Sequence, residues 1–281
     1  MTGENGTIIG LSQIFGTASR SAAFNILLMG DGFRAGAQQE TFDTACESFR
    51  KTLLTAAPFD QVAPKINIFK LNVASLESGA GDVGRCITRS TYFESVFDSG
   101  SHRLLICNEA LAHGTAAQQL PEYTVPIVVA NAPGYGGSGG PVSVYSLAPD
   151  AELIVLHEMG HSIFGLADEY GAPVGSFEQI VNQPLGEPHE PNVTAQTDPA
   201  RLKWIGAVKE APVPLLRNAD CSEENRSNNL PSDAVGLFEG AYYAYCGLYR
   251  PQFECRMRSV DQPFCVVCQQ VILDHFAAYG A

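Results

Sequence analysis

Two histidines and a glutamate set inside an apolar run constrain this chain most. From Leu153 to Tyr170 it reads LIVLHEMGHSIFGLADEY. LIVL before the cluster and IFGL after it would bury a helix, and a buried His-Glu-His cluster with nothing to bind would be costly. His157 and His161 are four residues apart. On a helix they share one face about one turn apart, where two imidazoles can grip one Zn²⁺. Glu158 follows the first of them and projects beside the metal rather than onto it, where a base for a water on that metal is needed. The competing interpretation is a core helix with two satisfied histidines. Gly160 weighs against it, because a glycine inside a helix costs roughly 1 kcal/mol relative to alanine unless another element must come close. Asp150 is placed to cap the helix and Gly165 to end it.

A catalytic zinc takes three protein ligands and keeps one position for water. Asp168, three residues after Gly165, is the leading candidate for the third. The metzincin pattern His-Glu-x-x-His-x-x-Gly-x-x-His/Asp has its glycine and third ligand one place earlier than Gly165 and Asp168, so the likeness is close but not identical. Glu169, Glu178, His189 and Glu190 stay open as alternatives. FECRMRS carries Met257 about a hundred residues beyond the histidines. Paired with the helix, it reads as a Met-containing turn beneath the metal; alone it would read as a gap-filling core methionine.

Around this segment the chain alternates strand and helix patterns. FNILLMGDGF (Phe24–Phe33) predicts a buried strand ending in a Gly-Asp-Gly turn, and QQETFDTACESFRKTLLTA an amphipathic helix. KINIFKLNV (Lys65–Val73), RLLICN, TVPIVVANA and VSVYSL (Val142–Leu147) predict further strands. PGYGGSGGP (Pro133–Pro141) lacks the Lys-Ser/Thr ending of a phosphate loop, so a flexible connection or tight hairpin is expected there. Beyond Tyr170 the chain is rich in Pro, Gly, Asn and acidic residues and reads as irregular, before a helical pattern in CVVCQQVILDHFAAYG. The class expected is α/β: one catalytic domain over 1–281, a mixed twisted sheet with the zinc helix to about 165, and an irregular part with the Met turn from about 166. Asn192 opens an Asn-Val-Thr glycosylation pattern.

Seventeen basic residues against thirty acidic ones give a formal charge of −13. That excludes nucleic acid as a favoured partner, because neutralising phosphates needs Lys and Arg; the charge serves solubility. No apolar run reaches membrane-spanning length, and MTGENGTIIG shows no signal peptide. The even count of eight cysteines favours an oxidising, extracytoplasmic setting. Cys46, Cys86 and Cys107 read as buried thiols. Cys255, Cys265 and Cys268, with Cys246 nearby, read either as a structural zinc knot or as one or two disulfides pinning the Met segment.

The zinc helix LHEMGHSIFGLADEY, together with NILLMGDGF, INIFKLNVASLESGAGD, TYFESVF, YGGSGG, EPNVTAQTDPARLKW, YRPQFECRMRS and FCVVC in that order, resembles the IgA-specific metalloendopeptidase family, a mostly bacterial set of zinc peptidases. The resemblance covers most of the chain. It implies a metzincin-like catalytic domain, zinc on His157 and His161 with Asp168 as third ligand, Glu158 as the catalytic acid/base, and Met257 in the turn. It also implies a protein or peptide substrate, though not IgA itself, and it leans towards an extracytoplasmic location. On this reading Glu158 activates a zinc-bound water to hydrolyse a peptide bond. Tyr249, in YRP before the Met segment, is the expected oxyanion donor, with packing at a turn as its other role. The rival function is a protein-binding module that keeps zinc without activity; the presence of Glu158 favours the enzyme, since a purely structural zinc needs no base.

Overall fold

A computed structural model describes residues 2–3, 5–98, 103–172, 175–182, 184, 186–225 and 227–280. The chain divides into two compact units, Met1–Met159 with Phe276–Ala281, and Gly160–His275.

The first unit is built on a mixed sheet. Its strands are β1 (Gly6–Phe15), β2 (Phe24–Asp31), β3 (Ile66–Ser75), β4 (Val125–Ala130), β5 (Gly137–Ser138) and β6 (Ser143–Tyr145). A two-residue strand, Thr2–Gly3, adds to β1 at one edge, and the order from there is β1, β3, β2, β4, β6, β5. The pairs β3–β2, β2–β4 and β4–β6 are parallel; β1–β3 and β6–β5 are antiparallel. Parallel neighbours need crossovers, and α1 (Gln38–Thr55) and α2 (Glu109–Gln119) lie in the connections that supply them.

β2 has a parallel partner on each side, and all eight of its residues are buried. This is why its sequence is a continuous apolar run rather than an alternation. Leu27 and Met29 of β2 pack with Phe69, Val128 and Val144 and with Ala112 and Ala116 of α2 in one cluster. α1 buries Phe42, Cys46, Phe49 and Leu53, a single stripe at helical spacing. At the end of β2, the Asp31 carboxylate accepts four hydrogen bonds, from Ser75 Oγ, Thr91 Oγ1, Phe93 N and Ser95 N. These bonds fasten the loop that follows β3.

Several sequence expectations change here. RLLICN contributes only Leu105–Ile106, in a small separate sheet with Gly81–Asp82 and Val96–Phe97. Leu105 is buried, but Ile106 is 39% exposed, so the segment is half a core strand at best. VSVYSL narrows to the three residues of β6. The glycine-rich stretch before it is a tight antiparallel hairpin, with Gly137 and Ser138 registered on Tyr145 and Val144. β1 escaped the sequence reading because its apolar residues Ile8, Ile9, Leu11, Ile14 and Phe15 neither alternate strictly nor form a continuous run. Cys46 is fully buried as expected, Cys107 is half-buried, and Cys86 is exposed on a left-handed backbone (φ 55°).

α3 (Glu152–Ser162) carries the histidines, and the division between the units falls inside it, after Met159. Asp150 stands two residues before its first turn at φ 61°, further out than a capping position.

The second unit is largely irregular. Its regular elements, beyond the end of α3, include the hairpin β7 (Leu237–Ala241) and β8 (Ala244–Arg250), a two-residue strand Leu215–Leu216 parallel to β7, the short helix Phe177–Asn182, single 3-10 turns at Pro199–Arg201 and Ile205–Ala207, and α4 (Val266–His275). Ala241 pairs with Ala244, so Tyr242 and Tyr243 make the two-residue turn, both left-handed at φ 49° and 60°. Such turns favour Asn and Gly, so holding two tyrosines there costs energy that surrounding contacts must offset. A disulfide joins Cys221 to Cys246. After α4 the chain re-enters the first unit, where the Phe276 ring lies 4.8 Å from that of Phe24. No helix among the described residues is long and apolar enough to cross a membrane.

Candidate metal centre

α3 places His157 and His161 one turn apart, and Gly165 (φ 62°) ends the helical segment so that the chain doubles back. The Leu166 amide then donates to Gly160 O and that of Gly165 to His161 O, the overlapping bonds of a helix C-terminus. Two residues on, Asp168 joins the histidines: one donor atom from each of His157, His161 and Asp168 lies within 4.8 Å of the others. His157 and Asp168 are buried, and the His161 side chain is 29% exposed.

The His161 ring is held from behind. Its Nδ1–H donates to Leu166 O at 2.7 Å, which leaves Nε2 facing Asp168 Oδ1 at 3.2 Å. A carbonyl on the far ring nitrogen fixes the tautomer and aims the other nitrogen forward, as metal-binding imidazoles require. Asp168 is held as well, because the Tyr243 hydroxyl donates to its Oδ2. Burial, and then the neighbouring Asp168 charge, raise the Tyr243 phenol well above its ordinary value, so it stays protonated and donates. Burial, followed by the hydrogen bond to Glu190, pushes the Tyr242 phenol up to about 12; that hydroxyl donates to Glu190 Oε1 at 2.8 Å. These two tyrosines line an open hollow with His161, Asp168 and Glu190.

Glu158 is half-buried beside Gly139, the residue that follows β5. A Cβ on Gly139 would lie 2.0 Å from Glu158 Oε2, so only glycine leaves room for that carboxylate. Gly160 plays a matching part at the histidine pair. Met257 is fully buried in a turn in which Arg258 N and Ser259 N both donate to Cys255 O. Its sulfur packs so closely on the helix that a Cβ on Gly160 would lie 2.5 Å from Sδ. The close approach anticipated at Gly160 is thus made by Met257.

Among the described residues, none of the other candidates for the third ligand shares the donor group of His157, His161 and Asp168. Glu169 is adjacent to Asp168 but turns away, since neighbours in a non-helical segment project to opposite sides. Its carboxyl is fully buried, accepts from Asn192 Nδ2 at 2.9 Å, and is pushed well above the usual carboxylate range by that burial. Glu178 and His189 are exposed, and Glu190 is taken up by Tyr242. Tyr249 engages different partners: its hydroxyl donates to Glu239 Oε1 and accepts from Arg217 Nη1, each at 3.2 Å.

Sequence reasoning missed Asn192 and Tyr243. Asn192 is fully buried; its amide accepts from Ala167 N and donates to Ala167 O and Glu169 Oε1. Those bonds clamp the segment that bears Asp168 and leave no amide exposed to carry a glycan. Asn192 was read only as the start of a glycosylation pattern, and Tyr243 belongs to no motif. The only local signal was a Tyr-Tyr pair between two short apolar runs.

The donor set, two imidazoles and a carboxylate with a second carboxylate alongside, is that of a metal-dependent hydrolase. The profile of the IgA peptidase M64 family matches residues 13–224 and 215–276, and the chain belongs to that family. No curated protein matches the chain. Membership makes it a peptidase of the metallo type, with a metal cofactor and a protein or peptide substrate.

Proposed function

We propose that the chain is a zinc endopeptidase of metzincin-like architecture in which His157, His161 and Asp168 hold the metal and Glu158 moves the proton. The convergence of those three donors beside Glu158 carries this reading. Three nitrogen and oxygen ligands of this kind suit Zn²⁺ and leave a position for solvent or substrate. A bound zinc ion would supply Lewis-acid activation of both a water molecule and the scissile carbonyl.

The chain's own residues do the rest. Glu158, kept close to the histidine pair by the space at Gly139, takes a proton from the attacking water and returns it to the leaving nitrogen. Leu166 O aims His161, and Tyr243 together with Asn192 holds Asp168 in place. Met257 supports the helix between the two histidines. Tyr249 is occupied by Glu239 and Arg217, so Tyr242 and Tyr243, which line the hollow next to Asp168, are better placed to meet substrate.

Cleavage of a denatured protein mixture tests the proposal. Glu158→Gln should lower turnover by about 10²–10⁴-fold while zinc at the histidine site stays bound. His161→Ala should lose that zinc. Normal cleavage by the Glu158→Gln protein, or wild-type cleavage indifferent to a chelator, would overturn it.

A further inference from the structure

A second cluster of donors forms within the Gly160–His275 unit. Cys255 opens the Met257 turn, Cys265 and Cys268 stand at the start of α4, and Glu169 follows Asp168. One donor atom from each lies within 4.8 Å of the others, and all four residues are buried. Cys255 Sγ and Cys268 Sγ are 3.8 Å apart. Glu169 Oε1 is 3.3 Å from Cys268 Sγ and 3.9 Å from Cys265 Sγ.

Those spacings match a tetrahedron around zinc. Bonds of about 2.3 Å to sulfur put two sulfurs about 3.8 Å apart, and a carboxylate oxygen at about 2.1 Å lies about 3.6 Å from each sulfur. The backbone is arranged for thiolates. Met257 N and Cys265 N point at Cys255 Sγ at 3.5 and 3.2 Å, and Cys268 N points at Cys265 Sγ at 3.4 Å. Amide donors aimed at sulfur stabilise the deprotonated form, which is the form that binds metal. Glu169 Oε2, moreover, is buried with no hydrogen-bond partner among the described residues. A buried carboxylate oxygen left over in this way is costly unless something takes it.

We propose that Glu169, Cys255, Cys265 and Cys268 bind a second, structural zinc ion. Four protein ligands leave no position for water, so the site is closed to catalysis. Binding sends to solvent whatever protons the three thiols and the buried Glu169 carboxyl hold, and leaves three thiolates and a carboxylate around a dication. Arg250 and Arg256, both buried, offset the excess negative charge; the first acts on Glu169 and the second on Cys255. Cys246, bonded to Cys221, takes no part. The ion would tie the Asp168–Glu169 segment to the Met257 turn, where the Glu169 N–H already donates to Met257 O at 2.7 Å.

The test is metal counting on the full chain, equilibrated with zinc and a thiol reductant and then desalted. Elemental analysis should find two zinc ions per chain in the wild type and one in His157→Ala/His161→Ala. X-ray absorption of that variant should show three sulfurs and one light atom around zinc. Should the variant fail to fold, the averaged shell of the wild type must still contain sulfur. A wild type with only nitrogen and oxygen around zinc, or a Cys255–Cys268 disulfide in the native protein, would overturn the proposal. One zinc per chain, bound through sulfur, would support this site and count against the histidine site.

Discussion

Tyr243 holds a left-handed backbone that a bulky residue avoids, and its hydroxyl is bound to the carboxylate of Asp168. The two facts belong together, since strain of about 1–3 kcal/mol persists where surrounding contacts impose it. The partner of a metal-ligating carboxylate affects affinity without touching the ion, and removing one costs about 10–100-fold. Tyr243→Phe should therefore keep the fold and weaken zinc binding at the histidine site by that factor, measured by competition with a chelator of known affinity. A change within twofold would show that the hydroxyl positions nothing. At this scale the sequence speaks to the proposed metal site only where candidate donors are close in the chain. The shared face of His157 and His161 follows from helical period alone, and Asp168 was the leading one of several candidates beyond the turn that Gly165 permits. Tyr243 stands 75 residues from Asp168, and nothing local to either residue announces the pairing.

Among the elements, the segment from Gly165 to Tyr170 has no regular structure, yet it must hold Asp168 still. Its order comes from outside: Asn192 clamps both sides of Ala167, Met257 O receives the Glu169 amide, and the carbonyls of Asp168 and Tyr170 accept from Tyr242 N and Tyr243 N. Asn192→Ala would orphan the Ala167 amide and carbonyl and one bond of Glu169. Each unmet buried group costs about 1–3 kcal/mol, so denaturant unfolding should show a loss of at least about 2 kcal/mol. A loss under about 0.5 kcal/mol would mean that the segment is ordered without it. β2 and β4 were legible because burial on both faces leaves a continuous apolar run, and α1 because its buried side leaves a stripe at helical spacing. β1 was not, since its apolar residues neither alternate nor run together, and the β7–β8 hairpin was not, because its turn breaks the residue preference by which such turns are recognised.

For the molecule as a whole, the division after Met159 cuts through α3, and the last residues return to pack Phe276 on Phe24 and Phe59. Neither unit is a self-sufficient stretch of chain. We therefore expect residues 1–159, produced alone, to lack a cooperative thermal transition by circular dichroism, having lost the last turn of α3 and the Phe276 ring; a sharp two-state melt of that fragment would contradict a single catalytic domain. The central claim concerns the first metal site. Its most direct test is an anomalous difference map at the zinc edge, from crystals of the Glu158→Gln protein grown with zinc and a peptide substrate. The account predicts a strong peak between His157, His161 and Asp168 with the peptide carbonyl beside it. A map with no density among those three side chains, or with the two imidazoles turned apart, would contradict it.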